Sequence, residues 1–177
     1  MFFFPVSTDV TFGYVEILAS LSLISAFILL VILVIVDFRV RLLPNKYVFP
    51  FAALGLFFHL LTHFQILPLQ EILIGGAVGY GLLWLIRALG SWYYRQEALG
   101  LGDVKLMGAA GLWLGLEDLM LALTLGACLS IVHGVTYAVL TKKSLRRLEI
   151  PAGPGLIGGI MVMMIWLVWK NLSVFFG

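Results

Sequence analysis

The sequence predicts an all-α polytopic membrane protein, a bundle of about six transmembrane helices with both termini on the outer, non-cytoplasmic side. Three observations predict it. Of the 177 residues, 62% are hydrophobic and 11% charged, with a mean hydropathy of +1.10. A water-soluble domain of that composition would expose large apolar patches. Apolar runs long enough to cross a bilayer recur along the chain between polar interruptions. The basic residues fall on every second interval between those runs.

Residues 1–14 read as an outer amino-terminal segment, because MFFFPVSTDVTFGY lacks the basic start of a cleavable signal peptide and leads straight into a long apolar run. A span needs roughly 17 to 25 helical residues. The first runs from Val15 to Val36, the second from Tyr47 to Leu67 and the third from Ile72 to Leu89. The fourth, Val104 to Leu116, rises only ~20 Å before Glu117 and Asp118 interrupt it. A short span is tolerated where one end opens into a polar protein cavity. The fifth runs from Leu119 to Leu140 and the sixth from Pro151 to Trp169. Helices are required, since lipid leaves no partner for unpaired backbone groups and no alternating barrel pattern is present.

Arg39, Arg41 and Lys46 lie between spans one and two. Arg87, Arg95 and Lys105 lie around the interval between three and four, and Lys142, Lys143, Arg146 and Arg147 between five and six. Only Lys170 is left over. The positive-inside rule places those three loops in the cytoplasm. The same rule keeps span four, because a re-entrant loop there would move the Lys142 to Arg147 cluster outside.

Several function classes drop out. A net charge of +2 gives no nucleic-acid footprint. The single Cys128 offers no disulfide framework and no structural zinc pair. His59 and His63 have the i, i+4 spacing of a metal pair, but lie toward the outer end of span two, where interfacial packing or water contact is the simpler reading. His133 and Cys128 in span five read as buried packing residues. Gly75 with Gly79, and Gly111 with Gly115, are small-residue pairs that allow close helix packing in lipid. Trp92, Tyr93 and Tyr94 fit a membrane boundary. No metal and no cofactor are expected.

The acidic residues carry the chemistry. Asp37 ends span one and Asp103 begins span four, so the topology puts both at one cytoplasmic depth. Ionisable groups bordering a span face a cavity or a partner. Two carboxyls at short range share a proton, which yields one acid and one base, the pairing that activates water against a peptide carbonyl. The simpler alternatives are an N-cap role for Asp103 and a solvated ion pair of Asp37 with Arg39 or Arg41.

The stretch VDFRVRLLPNK, with Asp37, Arg39, Leu43, Pro44 and Asn45, resembles the first signature of the type IV prepilin peptidase family. LGLGDVKLMGAAGLWLG resembles its Gly-x-Gly-Asp motif, through Gly100, Gly102, Asp103, Lys105, Leu106, Gly111, Trp113, Leu114 and Gly115. EIPAGPGLIGG, with Pro151, Gly153 and Pro154, is similar to the family's Ile-Pro-Phe-Gly-Pro segment, with Ala152 in place of the Phe.

The resemblance covers residues 36–169 and implies a single transmembrane peptidase domain over 1–177. It implies a membrane aspartic endopeptidase that removes the short basic leader from prepilin-like precursors at the cytoplasmic face of a prokaryotic inner membrane. Asp37 and Asp103 are then the catalytic pair, and the partners are precursor proteins and membrane lipid. It further implies a short form lacking the amino-terminal methyltransferase region. The helix macrodipole assigns the base to Asp103, at an amino terminus, and the acid to Asp37, at a carboxyl terminus. Other readings are a proton or solute transporter, a non-catalytic membrane scaffold, and a presenilin-type protease. The last shares Gly-x-Gly-Asp, but here Val36 precedes Asp37 and Pro151 is followed by Ala152 and Gly153.

Overall fold

The computed structural model describes residues 10–40, 42–97, 99–141 and 153–171. The described residues are helical throughout apart from short connections. The helices are α1 (Val10–Val40), α2 (Asn45–Leu61), α3 (Leu69–Tyr94), α4 (Leu101–Thr141) and α5 (Gly153–Lys170). Four of them, α1, α3, α4 and α5, are long and apolar enough to cross a membrane.

The expected boundary near Glu117 and Asp118 falls at Gly115 inside α4, whose φ of 69° and ψ of −171° lie in a region essentially reserved for glycine. The chain folds back there. A side-chain carbon placed on Gly79 of α3 would lie 2.5 Å from the Met107 carbonyl oxygen and 2.8 Å from a Leu119 methyl. A straight helix would hold residues 107 and 119 about 18 Å apart. Residues 101–114 and 116–141 are therefore two antiparallel limbs joined at a corner.

The second expected span is corrected at its far end. Apolarity continues to Leu67, but α2 stops at Leu61 because the backbone closes a Schellman turn. The Phe64 amide donates to the His59 carbonyl at 2.8 Å and the His63 amide to Leu60 at 3.1 Å. His63 and Phe64 take left-handed φ values of 51° and 56° to allow it. The Thr62 hydroxyl donates to the Phe58 carbonyl at 3.1 Å, which helps to satisfy the last turn. Pro68 then precedes α3 in an extended conformation.

Lipid removes the solvent contrast that drives helices together in water, so close backbone approach takes its place. Gly75 and Gly76 of α3 meet Gly111 of the first limb, where an ideal side-chain carbon on Gly111 would fall against the Gly75 carbonyl and 2.6 Å from the Gly76 nitrogen. An ideal side-chain carbon on Gly159 of α5 would fall against the Ala122 carbonyl and 2.7 Å from the Gly126 nitrogen of the second limb. Gly111→Ala is expected to destabilise the bundle by about 1 to 3 kcal/mol, because backbone rather than a flexible side chain blocks the new methyl. Thermal denaturation in detergent measures it, and an unchanged midpoint would reject this account of the α3–α4 contact.

Trp113, fully buried, pins α2 to the first limb. Its indole donates to the Phe51 carbonyl at 2.8 Å and stacks on the Phe51 ring at 5.7 Å between centroids. His59 corrects the interfacial reading: it is fully buried, with Nε2 3.0 Å from the Trp113 carbonyl. That carbonyl is among the last four before the Gly115 break, where a helix lacks its own donors, so His59 supplies one. His133 and Cys128 are corrected the other way. Both are exposed, because the second limb turns Ala122, Gly126 and Gly134 inward and its other faces outward. His133 packs edge-on against Phe38, with centroids 5.9 Å apart.

Candidate active site

Asp37 stands in the last turns of α1, where the helix packs against α2 and α5. It is buried, at 5% exposure. The third motif segment supplies part of the cover. A side-chain carbon on Gly153, the first residue of α5, would fall on the Asp37 carboxylate, 2.7 Å from its Cγ. Only a residue without a side chain lets α5 begin there.

Asp103 sits in the first turn of α4, and its carboxylate accepts a hydrogen bond from the Gly100 backbone amide. The N-cap reading of Asp103 is corrected: Gly100 precedes the helix, and Asp103 reaches back from the third helical position as in a capping box. Gly102 allows the two motif loops to touch. Its ideal side-chain carbon would lie 2.7 Å from Leu43 Cβ and 3.2 Å from the Leu43 nitrogen and oxygen. Pro44, extended at φ −68° and ψ 137°, starts α2, and Asn45 is its first residue. Lys105 donates to the Asn45 side-chain oxygen at 3.0 Å, a second link between the loops, instead of pairing with Asp103.

Asp37 and Asp103 line one cavity of about 330 Å³ together with Leu43, Asn45, Arg87 and Lys105. The two carboxyls are near enough that the charge on Asp37 acts on Asp103. The cavity holds both motif loops at one end of the bundle, which the antiparallel pair of α2 and α3 brings together. Among the described residues no group of three or more His, Cys, Asp or Glu side chains is placed to hold a metal.

Of the supporting residues, Gly100, Gly102, Asn45, Lys105 and Gly153 surround the pair. Arg39 lies in the last turn of α1, exposed, and does not border the cavity. Pro154 occupies the first turn of α5, where a missing amide is harmless. Pro151 lies outside the described residues, as do Arg41 and the Lys142 to Arg147 cluster.

Arg87 and Glu97 are cavity residues that the sequence did not single out. Arg87 of α3 donates to the Leu99 carbonyl and to Glu97 Oε1 at 2.8 Å, and so ties down the segment that leads into Gly100 and Asp103. A signal was available. An arginine inside the apolar third run needs a partner, and its topological reading hid that need.

A family model described as the type IV leader peptidase family matches residues 24–135. A prepilin leader peptidase/N-methyltransferase of Escherichia coli (strain K12) is 32% identical over 170 residues, which cover 94% of this chain and 67% of the relative. A protein of the same name from Dickeya chrysanthemi is 40% identical over 106 residues, covering 58% of this chain and 35% of the relative. Another from Aeromonas salmonicida (strain A449) is 31% identical over 137 residues, covering 77% and 46%. The chain thus spans about two thirds of the first relative's length and less than half of the other two. No solved structure matches it. The matched stretch takes in both carboxyls of the cavity and the loops that hold them together, and on that ground the chain belongs to the type IV leader peptidase family.

Proposed function

We propose that this protein is a membrane aspartic endopeptidase that removes the short basic leader from prepilin-like precursors, with Asp37 and Asp103 as the catalytic pair. The observation that carries the reading is the shared cavity, where two carboxyls from distant parts of the chain face one space at the end of the bundle. One carboxylate takes a proton from water as its oxygen attacks the scissile carbonyl carbon, while the other, as the acid, donates to the carbonyl oxygen. The tetrahedral adduct then collapses. The carbon–nitrogen bond breaks, the departing amine takes up a proton, and the leader leaves as a carboxylic acid.

In this reading the chain crosses the cytoplasmic membrane about six times, with α2 and each limb of α4 counted as crossings. The α2 helix rises about 26 Å and the first limb about 21 Å, short lengths that suit helices bordering a polar cavity. Both termini are outside, and the cavity with Arg87 and Lys105 faces the cytoplasm, as does the exposed Arg39, in keeping with the distribution of basic residues. A leader that is itself basic stays on that side, so the cut falls where the precursor enters the membrane.

The test is co-expression with prepilin-like precursors, with the amino terminus of the product read by mass spectrometry. A new terminus at the junction of leader and apolar segment is expected only when the protein is present; its absence across precursors of this kind would reject the reading. Gly102→Ala tests the geometry. The added methyl presses on Leu43 and shifts Asp103 against Asp37, so the cleavage rate is expected to fall about tenfold or more with the protein still in the membrane. An unaltered rate would show that the loop contact does not position the pair.

A further inference from the structure

The groove between α2 and α3, floored by the first limb of α4, lies beside the catalytic cavity. It encloses about 530 Å³ and is lined by Ala52 of α2, Leu73 and Ala77 of α3, and Gly108 and Leu112 of α4. At one end stands Lys105, whose side chain also borders the cavity of Asp37 and Asp103, so the two concavities adjoin at a single residue. From Lys105 to Leu112 the helix rises about 10 Å, which takes the groove roughly two turns along the bundle away from the carboxyls. Both flanking helices pack on α4 but scarcely on one another, which leaves the space open at the side.

We propose that this groove is the subsite for the precursor's apolar helix, an inference that rests on the leader-peptidase reading above. Adjacency to the cavity at Lys105 identifies the occupant. A chain cut between the carboxyls has a basic leader on one side of the bond and an apolar helix on the other, and the helix must leave the cavity into an apolar channel. Beyond Lys105 the groove is lined by apolar side chains, Tyr80 and glycine with no further charge, so it suits the apolar helix and not the basic leader. A second apolar groove, of about 650 Å³ between α1 and α5, is bordered by Ile24, Phe27 and Trp169. It shares no residue with the catalytic cavity and begins about 15 Å along α1 from Asp37.

The experiment compares two substrates, the complete precursor and a peptide that ends a few residues beyond the cut, by their kcat/KM ratio. The wild type is expected to prefer the complete precursor. Ala77→Phe fills the groove, and the preference is expected to fall about tenfold, the scale of lost burial for a few turns' worth of contact. A photo-crosslinking residue at position 77 in an Asp37→Asn background gives a second readout that does not depend on the filled variant folding. It is expected to capture the precursor, while the same residue at position 24 does not. Capture at position 24 alone, capture of phospholipid only at position 77, or an unchanged preference in a folded Ala77→Phe protein would overturn the proposal. A wild type that cleaves neither substrate would instead reject the leader-peptidase reading on which it rests.

Discussion

Asp37→Asn and Asp103→Asn are each expected to lower precursor cleavage by at least about 10⁴-fold, and the double variant to be no worse than either single one. The substitution keeps the shape of the side chain and removes its ability to take up or give up a proton. In the proposed mechanism each carboxyl has a role that the other cannot fill, because one must be ionised while its neighbour is protonated for water to be activated and the carbonyl polarised. Groups that act as a unit lose nearly everything when one member is lost, which is why the double variant adds nothing. The rate of precursor cleavage in membranes measures the effect, with the amount of enzyme in the membrane fraction measured alongside. Persistence of cleavage in either single variant would point to a different pair.

Gly153→Ala is the second large effect, an expected loss of about 10²-fold in kcat, the usual result of displacing a reacting group by about 1 Å. The new methyl would overlap the Asp37 carboxylate, with Cγ 2.7 Å away where ordinary contact begins near 3.4 Å. Either the carboxyl rotates or the start of α5 moves, and both change where Asp37 points. Gly81→Ala is the control, since nothing lies within 4 Å of its ideal side-chain carbon. Kinetics with one precursor separate the outcomes. A fall in kcat with KM nearly constant is expected, and an unchanged kcat would show that Gly153 does not set the Asp37 position.

The helical class and the two carboxyls were legible in the sequence for physical reasons. Long apolar runs permit little but helix in lipid, and Asp37 and Asp103 are acidic residues at the borders of such runs, where they demand an explanation. The end of α2 was not legible, because the turn uses His63 and Phe64 in left-handed conformations that neither residue advertises. Nor was the burial of His59, whose partner is a backbone carbonyl 54 positions away. A local pattern carries no trace of a bond to a distant helix break. Gly115 was read as a packing residue and does lie against Gly75, but nothing in the sequence showed that it also makes the corner. The exposure of His133 and Cys128 was hidden because a lipid-facing surface is as apolar as an enclosed one and the two are indistinguishable in sequence.

Every link among the motif segments, from Gly102 on Leu43 to Lys105 on Asn45 and Gly153 on Asp37, lies at the same pole of the molecule. The opposite pole, where α1 begins and α5 ends, holds none of them. Additions grafted onto that far pole therefore have no mechanical route to the carboxyl spacing except through the length of the helices themselves. A protein so arranged can carry varied appendages there while its reactive end keeps a constant shape.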